Sequence, residues 1–363
     1  MLDMNVAVKY IRLICGRKIL RTAFVYCLMF NVYCLFAQDI HFTQFFTNPL
    51  ILNPAQTGNY EGNYRVGFNF KAQWPFAITN TIYNYHTESP YIDFSFGERK
   101  LKNSWFGLGM NFVNDQAGDG RLLYRRFGLS GAYHQAFDKD HRYVLSTGVG
   151  FSYIIRSVDF SQFYFNNQWV QDDGFNTSLP NNEPVQRESF QMLDLGAGIN
   201  FAAQIHNKVK LDVGFSMLHL TRPKHSFLGN TERLGLRYQA SAGVTYTINE
   251  RISLTVNGYY GYEKKAQEIV AGAMLGYGFY KRKSSAADNI LYFGIYYRGK
   301  YDAVAPLVGY QFKTTRILLN YDVTVSGLLK PGKANGGPEI SLVHTGSFFK
   351  HFGNKKVYCP SFK

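Results

Sequence analysis

The sequence predicts an all-β protein: a transmembrane antiparallel β-barrel of outer-membrane type with about 14 strands, an even number as single-chain bacterial barrels require. Three observations carry this. Apolar side chains recur at every second position along nearly the whole chain, as in Tyr64, Val66, Phe68, Phe70 and Ala72. A period of two marks strands whose faces meet different surroundings. The intervening positions are small, polar or charged, as in Arg65, Gly67, Asn69, Lys71 and Gln73. Connections alternate between short and long, which fits turns on one rim of a barrel and loops on the other.

The chain opens with a segment read as a secretory signal peptide over residues 1–37. Lys9, Arg12, Arg17, Lys18 and Arg21 form a basic region, and an apolar run from Thr22 to Ala37 is broken only by Asn31. Cleavage after Ala37 follows the usual order of such leaders, although Leu35 stands where a small residue is preferred. The run is short for a spanning helix. Tyr33 before Cys34 excludes a lipoprotein site. Residues 38–363 then form a single barrel domain with an N-terminal segment and a short C-terminal tail.

No later stretch has the eighteen or so consecutive apolar residues of a membrane helix, and mean hydropathy is −0.21. A barrel has such an average too, because lumen residues dilute the lipid-facing ones. Aromatics make up 17% of the chain, with 27 Tyr, 31 Phe and 3 Trp beside 34 Gly, which suits aromatic girdles around a bore of small side chains. Net charge is +14. No helical basic motif or RNA-binding signature accompanies it, so nucleic acid is not an expected partner; membrane lipid, lipopolysaccharide phosphate or an acidic protein is. Three of four cysteines lie in the leader, leaving Cys359 without an intramolecular disulfide partner.

Strand by strand, the alternation runs through residues 64–72 and a ragged stretch at 91–96. It continues through 106–112, 127–134, 143–153, 193–201, 211–217, 236–246, 252–262 and 269–279. The last strands fall near 291–297, 304–312, 317–323 and 340–342. Asn249-Glu250 reads as a hairpin turn, while 74–90, 114–122, 159–187 and 221–233 read as long loops. A pair of soluble sandwiches would need a solvated outer face of Lys, Glu and Thr. The face at Asp194, Gly196, Gly198 and Asn200 is glycine-rich instead, and so is that at Gly272, Gly276 and Gly278. Glycine weakens strands, so its repetition points to a crowded interior. Arg125 breaks the apolar parity at a strand start, where it can snorkel, and Pro306 implies a bulge or a rim position.

The ends and one loop carry a family resemblance. The start Gln38-Asp39-Ile40-His41-Phe42-Thr43-Gln44-Phe45-Phe46, then Asn48-Pro49-Leu50 and Leu52-Asn53-Pro54-Ala55, resembles the opening of the PorP/SprF family. Gly58, Arg65 to Asn69, Gln73-Trp74-Pro75 and the run Asn114-Asp115-Gln116-Ala117-Gly118-Asp119-Gly120 continue the likeness. The tail Val357-Tyr358-Cys359-Pro360-Ser361-Phe362 is similar to the family's ending, except that Tyr358 and Ser361 stand where basic residues are common. The resemblance implies an outer-membrane barrel of the type IX secretion system of Bacteroidetes that helps export, dock and display a surface partner such as an adhesin of gliding cells. That partner would carry a type IX C-terminal signal, and other components of the machine in the periplasm and outer membrane would also be partners.

The residues carry little chemistry. His344, His351 and Cys359 match no tight metal-ligand spacing. His86, Glu88 and Ser89 lie too close along one segment to form a nucleophile, base and orienter. Gly118-Asp119-Gly120 lies between strands with no helix following, so it is no phosphate loop. No cofactor, metal or catalysis is expected. Phe160, Phe163, Tyr164, Phe165, Trp169 and Phe175 sit among Asn, Gln and Asp. Exposed rings with polar neighbours suit a protein-binding loop, while rings folded onto their own barrel would not. The alternative function is a porin-like channel for small solutes, made anion-leaning by Arg65, Lys71 and Arg237.

Overall fold

The computed structural model describes residue 40 and residues 42–73, 85–97, 101–118, 120–182, 188–227, 232–279, 289–299, 303–325 and 335–348. The leader 1–37, Trp74, Pro75, Asp119, His351, Cys359, Pro360 and Phe362 lie outside these residues.

Three short turns come first: a 3-10 turn at Phe45–Thr47, an α-turn at Pro49–Leu52 and a 3-10 turn at Pro54–Gln56. Pro49 and Pro54 each begin a turn, where a missing N–H costs nothing and the fixed φ helps. The first strands are β1 (Tyr64–Ala72), β2 (Tyr85–Phe96), β3 (Ser104–Ala117), β4 (Leu122–Ala136) and β5 (Tyr143–Ser157). A small hairpin follows, β6 (Trp169–Val170) and β7 (Gly174–Phe175). Then come β8 (Ser189–His206), β9 (Val209–Leu218), β10 (Arg237–Thr247), β11 (Ile252–Glu263), β12 (Ala266–Phe279) and β13 (Asn289–Arg298). Last are β14 (Ala303–Phe312), β15 (Thr315–Thr324) and β16 (Asn335–Gly346).

Among the described residues fourteen strands, all but β6 and β7, form one closed antiparallel barrel. Each pairs with its neighbours in sequence, β5 pairs β8 across the small hairpin, and β1 pairs β16 to close the wall, with Phe68 opposite Leu342. Closure leaves no unpaired edge. The predicted outer-membrane-type barrel is therefore the fold.

The apolar parity faces outward. Leu108 is 55% exposed, Val149 66% and Ile295 57%, while Asn69, Ser130, Ser146 and Asn200 of the opposite parity are buried inside. Glycines of β3, β5 and β8 explain the small inner face. A Cβ at Gly107 would run into the Thr57 carbonyl, one at Gly148 into the backbone of Pro54 and Ala55, and one at Gly198 into the Asn53 side chain. The inner wall of β11–β15 differs from the small, polar face expected. Tyr259, Met274, Tyr292, Tyr296, Leu307 and Leu318 are bulky, point inward and pack on Phe45, Phe46 and Leu52.

Strands reach into two of the predicted loops. β3 and β4 run on to Ala117 and back from Leu122, with Gly118, Gly120 and Arg121 in turn conformation between them, because the alternation continues in polar form: Asn114 pairs Arg125 and Asp115 pairs Tyr124. β2 begins at Tyr85, inside the loop expected at 74–90. Pro306 makes neither a bulge nor a rim; β14 and β15 keep one register across it and miss the pairings of 305 and 306. Arg125 reaches Asn114 on the outside, its Nε donating to Oδ1 at 3.3 Å.

Candidate functional site

The segment from Phe42 to Gly62 runs through the bore and is buried along most of its length. Its leading end is held by β15, β16 and their neighbours. The backbone N–H groups of Thr43 and Gln44 donate to the two carboxylate oxygens of Glu339 at 3.0 and 2.8 Å. The Thr43 hydroxyl donates to Asp322 at 2.9 Å, and Gln44 Nε2 to Asn320 at 2.6 Å. Lys71 and Arg298 approach Asp322 at 3.3 and 2.9 Å.

Its middle crosses to the other wall. Asn48 Nδ2 donates to Ser89 Oγ at 2.7 Å. Asn53 closes its own turn by accepting from the Ala55 N–H at 2.9 Å, and its amide donates to the carbonyls of Ile199 at 3.0 Å and Phe215 at 3.4 Å. One side chain thus shapes the plug and ties it to β8 and β9. The trailing end meets β2–β5. Thr57 bonds Ser130 at 2.8 Å, and its carbonyl lies 2.8 Å from His134 Nε2, whose Nδ1 meets Ser146 Oγ at 2.7 Å. Gly58 N–H donates to Asp93 at 2.7 Å, and its carbonyl accepts from Trp105 Nε1 at 3.1 Å.

The cations expected to lean the bore toward anions are paired instead. Arg65 grips Asp93 through Nε and Nη2 at 2.9 and 2.7 Å, Lys71 faces Asp322, and Arg237 lies 3.8 Å from Glu263 and 3.4 Å from Glu268. Asp93, Asp322 and Glu339, which anchor the plug, were not singled out in the sequence. Their signal was a carboxylate on an inward parity, which a barrel interior keeps only when paired.

The longest connection, 158–188, stands on the rim that also carries 219–236. Its six aromatics divide. Phe160 contacts Phe163 and Phe227, with ring centroids 6.0 and 6.4 Å apart, and Phe227 packs edge-on against Phe190 at 4.8 Å. Phe163 covers Gly120, where any Cβ would strike its ring, and the Asp159 N–H donates to the Gly120 carbonyl at 2.9 Å. Two motifs distant in sequence therefore meet. Phe165 is half-buried beside Phe163.

Trp169 and Phe175 of the β6–β7 hairpin form a separate outward cluster with Tyr164, which precedes the hairpin. Phe175 lies 5.2 Å from Tyr164 and 4.8 Å from Trp169. Tyr164 is 66% exposed and Trp169 57%. The buried Gln168 secures the hairpin, with Nε2 donating to the Leu179 carbonyl at 2.9 Å and Oε1 accepting from the Phe165 N–H at 3.2 Å. Of the other motif residues, Asn114 faces outward, Asp115 faces inward and accepts from Thr87 at 2.6 Å, Gly118 takes a positive φ of 72° in the turn, and Gln73, just past the end of β1, donates its N–H to the Tyr85 carbonyl at 2.9 Å. His86 and Glu88 lie on the opposite face of β2 from Ser89, so the strand separates them.

A closed barrel with an apolar outer belt and a bore filled by its own N-terminal segment defines a membrane protein of outer-membrane type. The family described as type IX secretion system membrane protein PorP/SprF matches residues 35–343, and the chain belongs to that family. Comparison with curated proteins returns no match. Among solved structures it is similar to the toluene transporter TbuX of Ralstonia pickettii, at 12% identity and a TM-score of 0.46 over 82% of this chain and 92% of that one. It is similar also to the CymD monoaromatic hydrocarbon channel, at 9% identity and 0.48 over 84% and 93%, and to the KdgM porin, at 7% and 0.37 over 77% and 98%.

Proposed function

We propose that this barrel is a non-enzymatic docking base of the type IX secretion system. After loss of residues 1–37 as a signal peptide it sits in the outer membrane, helps export a partner bearing the system's C-terminal signal, and displays that partner at the cell surface. The long-loop rim faces outward, and the rim with turns at 207–208 and 313–314 faces the periplasm and the other secretion components, following the usual asymmetry of such barrels. A surface adhesin, as in gliding cells, is the partner class the family suggests.

The observation that carries this reading is the Tyr164, Trp169 and Phe175 cluster, three rings presented to solvent at a hairpin secured by Gln168. Large rigid rings bury area at small entropic loss, so they serve as anchors of protein contacts. The filled bore favours docking over the porin-like alternative. The test is recovery of the surface partner with the purified barrel, comparing wild type with a Tyr164→Ala, Trp169→Ala, Phe175→Ala variant. Loss of the partner with unchanged heat-modifiable migration of the barrel is expected. Equal recovery would remove the hairpin from the contact.

A further inference from the structure

The outward parity of the wall changes character at one place near the loop rim. Along β3 and β4 the outward pairs run Met110 with Leu129, then Phe112 with Phe127, then Asn114 with Arg125. Met110 and Leu129 are broadly exposed, and the Phe112 and Phe127 ring centroids lie 4.7 Å apart. One step further, Arg125 is exposed and Asn114 half-buried. The row extends to β2, where Glu88 pairs Asn114. Among the described residues, Glu88 and Arg125 are the only acidic or basic side chains that the fourteen barrel strands set on the outward parity. On β13, β14 and β15 the row at the same end, Tyr297, Val304 and Val323, stays apolar.

Strand length explains the asymmetry. β3, β4 and β5 have 14, 15 and 15 residues, against 10 in each of β13, β14 and β15. About 9–11 residues cross the hydrocarbon of a bilayer, so the wall at β3–β5 has length to spare. Aromatic rings mark the boundary between lipid and water. Phe106 and Tyr133, 5.3 Å apart, mark it at the short-turn end, so the surplus lies at the loop rim. Asn114 and Arg125 therefore stand just above the Phe112 and Phe127 pair, at the level of lipid headgroups.

Arg125 donates from Nε to Asn114 at 3.3 Å and makes no other hydrogen bond or ion pair among the described residues. Its planar fork matches a phosphate. Glu88 is two strands away, about 10 Å at the usual strand spacing, so the two charges do not neutralise each other. Between them the Asn114 amide, with the Glu88 carboxylate, offers the groups that bond sugar hydroxyls. We propose that Arg125, Asn114 and Glu88 form a binding patch for the phosphorylated sugar headgroup of an outer-leaflet glycolipid, whose acyl chains run down over Phe112, Phe127, Met110 and Leu129. This inference rests on the outward placement of the loop rim argued above and not on the rim hairpin as a docking site.

The experiment is native mass spectrometry of the detergent-solubilised full chain with phosphorylated lipid A and with lipid A stripped of its phosphates. One phosphorylated molecule should be retained, and the stripped one should bind about tenfold more weakly, the scale of one charge-assisted hydrogen bond. Arg125→Gln should make the two lipids equal while heat-modifiable migration stays that of wild type. Arg251→Gln, on the opposite rim, should keep the preference. Equal binding of the two lipids to wild type, a preference that survives Arg125→Gln, or displacement of lipid A by millimolar inorganic phosphate would overturn the proposal. Orientation is read separately, by labelling Gln171→Cys on intact cells with a membrane-impermeant maleimide. Labelling above the wild-type background places the loop rim outside. Its absence would overturn both that placement and this site, whereas labelling without a phosphate preference would overturn the site alone.

Discussion

Asp93 of β2 binds Arg65 of β1 through two hydrogen bonds, at 2.9 and 2.7 Å, and its Oδ2 also accepts the Gly58 N–H of the plug at 2.7 Å. A single buried carboxylate therefore joins two strands to the segment that fills the bore. Arg65 also lies 4.5 Å over the Tyr60 ring, which steadies the same corner.

Replacing Asp93 by Ala leaves the Arg65 guanidinium buried without its counter-charge. Breaking such a pair costs about 3–5 kcal/mol. The variant should lose heat-modifiable migration at a clearly lower temperature than wild type, and the region around Gly58 should become open to protease. A wild-type melting profile would contradict the role given to this pair.

Glu339 holds the leading end of the plug by accepting two backbone N–H groups. Deleting residues 40–62 should turn a barrel silent in planar bilayers into one with large stable conductance, while Glu339→Gln should give intermittent openings. Conductance of the intact chain equal to that of the deletion would mean that the plug does not seal the bore.

Two glycines make a paired test of how closely the plug approaches. At Gly148 an added Cβ would come within 2.5 Å of the Pro54 and Ala55 backbone, whereas at Gly131 the nearest atom is 3.9 Å away. Gly148→Ala should destabilise by about 1–3 kcal/mol through overpacking. Gly131→Ala should stay within about 0.5 kcal/mol of wild type. Guanidinium unfolding followed by tryptophan fluorescence measures both.

The outer belt predicts a depth-dependent penalty. Val149 faces outward in the middle of β5, so Val149→Arg should cost about 2–4 kcal/mol if it sits near the bilayer midplane. Arginine nearer the rim, at Tyr143, should cost much less. Refolding yield into lipid vesicles compares them, and equal yields would argue that this face does not meet acyl chains.

The positions of the strands, and the side of each that faces lipid, were readable along the chain because alternation is local: Phe106, Leu108 and Met110 are classified by their immediate neighbours. The glycines on the other parity even announced a crowded bore. What crowds it was not readable. The segment from Phe42 to Gly62 has no period to betray it, and its partners are remote, with Thr43 bonding Glu339 across 296 positions. The same holds for the charges. Lys71 and Arg65 look like free cations in one dimension and are neutralised only when β1 meets β2 and the wall closes near Asp322. The rim aromatics form one run in the chain, yet folding sets Phe160 against Phe227 and one face of the partly exposed Phe163 over Gly120, while Tyr164, Trp169 and Phe175 cluster outward, since which ring finds Phe227 or Gly120 depends on where the connection after β9 and the end of β3 arrive in space.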